Sequence, residues 1–448
     1  MDRCMTNADS KKQLELVHTE EEARQIYAQG PDAVSFKLLE LSQHIKQLKG
    51  EQPTNSSTPS GQVPVYQKPP AGKSRKKPGR KKGHEGARRS VPVKIDRQVK
   101  HTLDCCPACG DPLGKATRHR KRIIEDIPEV EPEATEHEIE GYWCKNCKKI
   151  VEPVVTDALP KASIGHRAVA LTSWLHYGVG NTLSQILSVY NYYLRFKLTS
   201  GGLVQMWYRI QKILYEWYEQ IGKEGKESSY LHGDESGWRV NGVTHWLWCF
   251  TNDSLTYYLI DRCRGSPVLF EFFEEEFKGC LITDFWRAYD LIQSGSRQYC
   301  LAHLLREIHD IDARNESDLW CQFSKKLRRL LGDALRLYMR RDGLSDEEYE
   351  SKKHRIDSRL ELLLFVDRSE DADVRRISDR LCRSMEGMFT FLSEPGVQPT
   401  NNQAEREIRP AVIIRKNSLG NRSKKGANCQ AVLMSIYRTL KKERFESG

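Results

Sequence analysis

An α/β protein of several domains is what this sequence predicts, and three observations carry that expectation. The 448 residues exceed what one hydrophobic core usually organises, at roughly 100–200 residues per domain. Near residue 226 the apolar pattern changes from helical spacing to the alternation of strands. Upstream of that change, two Cys-x-x-Cys knuckles mark a separate small module. Hydrophobic residues at 38% and charged residues at 29% suit folded globular domains. No run approaches the roughly 18 apolar residues of a membrane span, and the polar N-terminus lacks a signal-type apolar stretch. A cytoplasmic protein with no membrane partner is therefore expected, and its 13 cysteines read as reduced thiols and metal ligands. The formal net charge of +10 favours an anionic partner.

The N-terminal 1–50 is expected to be helical. Val34, Leu38, Leu41, Ile45 and Leu48 repeat at spacings of four and three, as in a short leucine-zipper-like coiled coil or an amphipathic helix lying on another domain. Residues 51–95 form a linker and basic arm. Pro, Ser, Thr, Gly and Gln fill 51–72, and then Lys73, Arg75, Lys76, Lys77, Arg80, Lys81 and Lys82 place seven cations in ten residues, with Pro78-Gly79 interrupting any helix. An extended arm of this kind tracks phosphates by releasing their counterions.

Residues 96–155 are the expected zinc-binding domain. Cys106-Pro-Ala-Cys109 and Cys144-Lys-Asn-Cys147 supply four thiolates, which satisfy tetrahedral Zn²⁺ and leave no open position, so the site is structural. Cys105 could shift the register by one, and the alternative is four ordinary buried cysteines. Residues 160–225 then read as helices near 166–177, 183–193 and 203–221, with the length of a helix-turn-helix or of a plain bundle.

Strands begin at Tyr230–Asp234. Gly237–Val240 and Val243–Phe250 flank an Asn241-Gly242 hairpin turn, and Leu255–Ile260 follows a second turn. A helix over 267–277, a strand over 280–283, a short helix, a strand over 298–301 and a helix from Ala302 complete the order β-β-β-α-β-α-β-α. That order is the one of a ribonuclease-H-like domain, expected in two parts: 226–313, and 399–448 with its C-terminal helix. The charged helical segment 314–398 lies between them and reads by pattern as a helical hairpin. Asp234 is expected to end the first strand and Asp284 the fourth, on neighbouring strands, so that both carboxylates enter one crevice. Hard oxygen ligands suit Mg²⁺ or Mn²⁺, and two such ions stabilise the attacking and leaving oxygens of phosphodiester displacement. Glu405 is the expected third acid, on a helix capped by Asn401 or Asn402. Glu407 turns away from that face, and Arg406 or Arg409 is placed to fix the carboxylate or grip a phosphate.

These blocks resemble the IS66 family of bacterial insertion-sequence transposases. Asp234-Glu-Ser236 is similar to that family's Asp-Glu-Thr block, with Ser for Thr. Asp284-Phe-Trp-Arg-Ala-Tyr-Asp290 is similar to its second-Asp block, Thr400 to Pro410 to its Glu block, and Lys76–His84 to its basic element before the zinc domain. The resemblance implies a DDE-type transposase that binds the terminal inverted repeats of its element and target DNA and cuts and joins strands with Mg²⁺ at Asp234, Asp284 and Glu405. It implies a nucleoid-associated, at least dimeric protein, with accessory proteins of the same element as further partners. It also implies that 314–398 is an insertion in the catalytic domain, and that Cys300-Leu-Ala-His303 with Arg306 handles the cleaved DNA end rather than zinc; by position alone His303 is a first-turn helix residue. About 43 residues follow Glu405, so the resemblance implies that a C-terminal extension of some members is shortened or missing. Two other readings stand beside this one: a non-catalytic sequence-specific DNA-binding protein (a zinc-ribbon regulator or an inactive relic), and an RNA-directed ribonuclease on the same fold.

Overall fold

The computed structural model describes residues 91–446 except 275 and 366–369, together with Ala28. The expected zipper helix over 34–48, the linker over 51–72 and the basic arm from Lys73 to Lys82 lie outside the described residues. The chain parts into two compact units, residues 1–123 and 124–448. In the first, a tight turn brings Cys105 into a bridge with Pro112. Gly110 closes it at φ +80°, a conformation that a side chain would strain.

The second unit opens with a hairpin of β1 (Tyr142–Cys144) and β2 (Lys149–Val151). Four helices follow: α1 (His166–Ser173), α2 (Leu183–Ser188), α3 (Ser200–Ile213) and α4 (Tyr215–Lys226). Both α1 and α2 continue into a π turn, at Trp174–Val179 and Val189–Tyr193. A capping box starts α2: Thr182 Oγ1 accepts from Gln185 N at 3.3 Å and Thr182 N donates to Gln185 Oε1 at 2.8 Å. The single helix expected over 203–221 is two, because the backbone leaves helical geometry at Leu214 and the buried faces diverge. Leu203, Met206 and Trp207 of α3 enter one core, whereas Tyr218 and Ile221 of α4 enter another.

The sheet follows. β3 (Tyr230–Val240), β4 (Val243–Thr251) and β5 (Thr256–Asp261) are antiparallel neighbours, and β6 (Phe277–Thr283) and β7 (Ser294–Tyr299) add parallel strands on the far side of β3. The spatial order is β5-β4-β3-β6-β7. Two expectations need correction here. Asp234 does not end the first strand but lies within it, since β3 stays paired with β4 from His232 to Val240. The helix expected over 267–277 is shorter, α5 (Ser266–Phe273), because Glu274 takes φ 60° and Phe277 already belongs to β6. Period-two alternation drives the burial: Leu247 and Cys249 of β4 face one core, and Trp248 and Phe250 face the other.

A short α6 (Arg287–Asp290) precedes β7, and α7 (Leu301–Asp312) leads out of the sheet. The segment expected as a hairpin holds three long helices instead, α8 (Asp318–Met339), α9 (Asp346–Leu364) and α10 (Ala372–Arg383). Their apolar faces close on α7 and on Cys280 and Ile282 of β6 in a third core. The chain then returns along the sheet as α11 (Asn402–Ser418) and α12 (Lys424–Glu446). Among the described residues no helix is long and apolar enough to cross a membrane.

Candidate active site and zinc knuckles

In the parallel pairing of β3 with β6, His232 is opposite Ile282. Asp234 and Asp284 each lie two residues further on, so they are neighbours where β6 ends and β3 runs on. Asp284 stands just past β6, where its Oδ1 accepts from Trp286 N at 2.9 Å and so fixes the start of the following loop. Glu405 occupies the first turn of α11. Burial raises the Asp234 carboxyl well above the usual carboxylate range, and the charges of Glu235, Asp284 and Glu405 raise it further. The three expected acids therefore share one electrostatic neighbourhood. Among the described residues, no group of three or more His, Cys, Asp or Glu side chains is gathered closely enough to ligate one ion as it stands.

Glu405 is held by Arg306 of α7, whose Nη2 donates to Oε1 at 2.7 Å, and His303 Nε2 lies 3.6 Å from the same oxygen. This corrects one of the two roles expected of Arg406 or Arg409, that of fixing the Glu405 carboxylate. Both are exposed on α11 and neither has an ion pair with Glu405, because a partner from a neighbouring helix reaches the carboxylate first. His303 is in the first turn of α7, and its Nδ1 is buried without a partner among the described residues. Glu407 does turn away: it is buried and accepts from Arg438 Nε of α12 at 2.7 Å.

Asn401 holds these pieces together. It occupies the N-cap position of α11, yet its side chain does not cap the helix. Its Nδ2 donates to Gly233 O at 2.8 Å, and its Oδ1 lies 3.0 Å from His232 Nδ1. An amide oxygen only accepts, so His232 carries its proton on Nδ1 and keeps a lone pair on Nε2. Burial lowers the His232 pKa to about 4, which keeps the ring neutral. Asn401 N also donates to the buried Cys300 Sγ at 3.1 Å, and Cys300 N donates to Thr283 O at 2.8 Å. One asparagine thus joins the strand of Asp234 to the helix of Glu405, and Cys300 joins both to the strand before Asp284. Neither His232 nor the tethering role of Asn401 was visible as a motif. The signal was a His and an Asn flanking the acids, whose partners only the fold supplies.

Glu235 faces the other side of β3. Tyr289 Oη donates to its Oε2 at 2.8 Å and Arg264 Nη2 to its Oε1 at 3.1 Å. The Arg264 guanidinium is stacked between Trp246 and Trp286, 4.4 and 4.2 Å from the ring centres. Burial and the nearby Asp284 raise the Glu235 pKa to about 7. Ser236 keeps the hydroxyl that the usual Thr would supply, and its Oγ accepts from Arg415 Nη1 at 3.2 Å.

Each Cys-x-x-Cys pair forms a knuckle within its own unit. In the first, Cys106 N donates to Asp111 O and Gly110 N to Cys106 O, both at 2.8 Å. Backbone N–H groups of Ala108 and Cys109 lower the Cys106 thiol pKa. In the second, at the β1–β2 turn, Cys147 N donates to Cys144 Sγ at 3.4 Å, and the backbone N–H of Cys147 lowers the Cys144 pKa. Thiols stabilised as thiolates by backbone donors fit a zinc ion.

Two cysteine knuckles thus precede a mixed sheet with two acids side by side on neighbouring strands. Residues 161–429 match the model of the transposase IS66 family, and residues 104–148 match the zinc-finger binding domain of transposase IS66. The chain belongs to the IS66 transposase family. It is also 23% identical over 393 residues to the uncharacterized protein y4hP of Sinorhizobium fredii (strain NBRC 101917 / NGR234), covering 78% of this chain and 69% of that one. As a family member it is an insertion-sequence transposase with a DNA-binding zinc finger.

Proposed function

We propose that the sheet and its returning helices form a ribonuclease-H-like domain in which Asp234, Asp284 and Glu405 hold divalent cations for DNA strand cleavage and strand transfer. The observation that carries this reading is the placement of Asp234 and Asp284 on adjacent parallel strands, with Glu405 close enough to raise the Asp234 pKa. Like-charged carboxylates in a half-buried crevice are costly alone, and they fit a hard cation by donor chemistry. When bound, Mg²⁺ or Mn²⁺ would activate the attacking oxygen and stabilise the leaving one.

The chain's own side chains position the reaction. Arg306 and His303 place positive and hydrogen-bonding groups beside Glu405, where a scissile phosphate would be gripped and the third acid kept in place. The Asn401 tether fixes the separation of the two acidic elements. Water attacks the phosphorus at the element's end, the P–O3′ bond breaks, and the freed 3′-hydroxyl is the nucleophile on target DNA. Residues 226–313 and 399–448 make up this domain, 314–398 is its insertion, and 160–225 and the cysteine knuckles of 96–155 bind the terminal repeats with the basic arm. Cys106, Cys109, Cys144 and Cys147 hold the structural Zn²⁺. Two ends must meet, so the working form is at least a dimer.

Mg²⁺-dependent nicking of a labelled duplex carrying the element's end tests the proposal, comparing the unmodified chain with Asp284→Asn at DNA occupancy matched by gel shift. Cleavage at the repeat boundary by the unmodified chain alone is the expected outcome. Equal cutting by both proteins would remove Asp284 from the chemistry, and equal binding with no cutting by either, accessory proteins included, would favour the binding-only reading.

A further inference from the structure

From Ile408 to Lys425 the chain carries six cations, Arg409, Arg415, Lys416, Arg422, Lys424 and Lys425, and no acid. This stretch is most of α11, the turn after it and the start of α12. The two acids just before it are engaged, Glu405 by Arg306 and Glu407 by Arg438. The run of positive charge therefore keeps its sign along the surface. It ends at a cavity of about 570 Å³ whose wall includes Asn241, His245, Arg262, Arg422, Lys424 and Asn428. Arg262, Arg422 and Lys424 are exposed and have no carboxylate partner among the described residues. Asp261 also lines the cavity and sets one negative charge against the three cations, its Oδ1 turned to Cys263 N at 2.6 Å.

The cavity is a built feature. Asn421 N donates to Arg239 O at 2.9 Å, Asn241 N donates to Asn421 O at 2.8 Å, and Trp238 Nε1 donates to Asn421 Oδ1 at 2.8 Å. Gly420 at φ +97° lets this turn approach, since a Cβ there would lie 2.3 Å from Arg239 O. The hairpin tip and the turn are thus clasped, with three free cations around the recess. The clasp also sets its distance from the acids. From Asp234 to Asn241 is seven strand residues, about 23 Å at about 3.3 Å each. From Glu405 to Ser418 is thirteen helical residues, about 20 Å at 1.5 Å each. The two rulers agree because the chain from Asn401 through α11 to Asn421 runs beside β3, with Asn401 at Gly233, Arg415 at Ser236 and Asn421 at Trp238.

We infer that this recess is a second DNA contact, which takes the phosphate backbone of the duplex about six to seven base pairs from the cleavage position, at about 3.4 Å per base pair. The inference rests on the reading of the acids as the cleavage site. Backbone phosphates are the ligand because the lining offers exposed point charges and amides, while its tyrosine, Tyr218, is buried with its ring stacked on Tyr257 and is closed to a base.

The full chain carrying Asp284→Asn, which holds the DNA uncut, serves as the background. Phosphate-ethylation interference on its complex with the element's end is expected to show a block at phosphates about six to seven base pairs from the boundary. Arg262→Gln, Arg422→Gln and Lys424→Gln together are expected to remove that block, to weaken binding about ten-fold or more, and to reduce the salt slope of affinity by about 2–3. The thermal melt of the triple variant verifies its fold, and the interference pattern of the background protein stands without it. End binding with no block at those phosphates, or an unchanged slope in a folded triple variant, overturns the inference and leaves the cleavage reading intact. Failure to bind the end at all, with the zinc finger loaded, overturns the end-binding reading as well.

Discussion

At the scale of single residues, one amide, that of Asn401, ties the acidic elements of the site together. Removing the Asn401 side chain leaves the His232 Nδ1–H and Gly233 O without partners in a buried place. Such a loss costs about 1–3 kcal/mol for each stranded group. Asn401→Ala is therefore expected to lower the melting temperature and to slow Mg²⁺-dependent nicking more than ten-fold with end binding unchanged, read by calorimetry and by the nicking and gel-shift assays. Full cleavage by a destabilised Asn401→Ala protein would show that the tether serves the fold alone. The acids themselves were legible, because Asp-Glu-Ser, the second-Asp block and the Glu block are dense local patterns. The partner of Glu405 was not. Helical spacing placed Arg406 and Arg409 on the same short segment, whereas the residue that reaches the carboxylate comes from α7, roughly a hundred positions away, and sequence spacing carries no information on that approach.

At the scale of elements, a polar knot within the insertion ties the chain just after α7 to the start of α10. Asp371 caps α10, accepting from Asp373 N at 2.8 Å and Val374 N at 3.0 Å, and Asp373 receives Arg314 through both guanidinium nitrogens at 2.6 and 2.9 Å. Asp371→Ala is expected to cost about 1–2 kcal/mol, measured by denaturant unfolding. Arg314 holds the Asp373 carboxyl below its usual value of 3.8, with burial opposing. A depressed carboxyl contributes stability above its unfolded pKa and loses it as pH falls through the folded one. The gap in melting temperature between the unmodified chain and Asp373→Asn is thus expected to be constant near neutral pH and to close below about pH 4. An increase of that gap in acid would contradict the pairing. The order of strands along the chain was legible here through periodicity, but the third helix of the insertion and the ends were not: β3 extends through Asp234 because its partner β4 keeps pairing, and α4 separates from α3 because two cores pull them apart.

At the scale of the whole molecule, the three buried cores begin at Val169, beyond both cysteine knuckles. Chelation of zinc from the full chain is therefore expected to reduce end binding and to leave the main calorimetric transition within about 2 °C, since that transition reports the cores. Collapse of the main transition on chelation would mean that the finger supports the sheet domain. We propose that Asp234, Asp284 and Glu405 would hold cations at the scissile phosphate. The most direct measurement is cleavage of an end duplex in which sulfur replaces one non-bridging oxygen of that phosphate, followed in Mg²⁺ and in Mn²⁺. Sulfur is a poor ligand for the hard Mg²⁺ and a better one for Mn²⁺. The account predicts slow cleavage of one sulfur diastereomer in Mg²⁺ and recovery in Mn²⁺. An equal sulfur effect in both metals, or cleavage without any divalent cation, would contradict it.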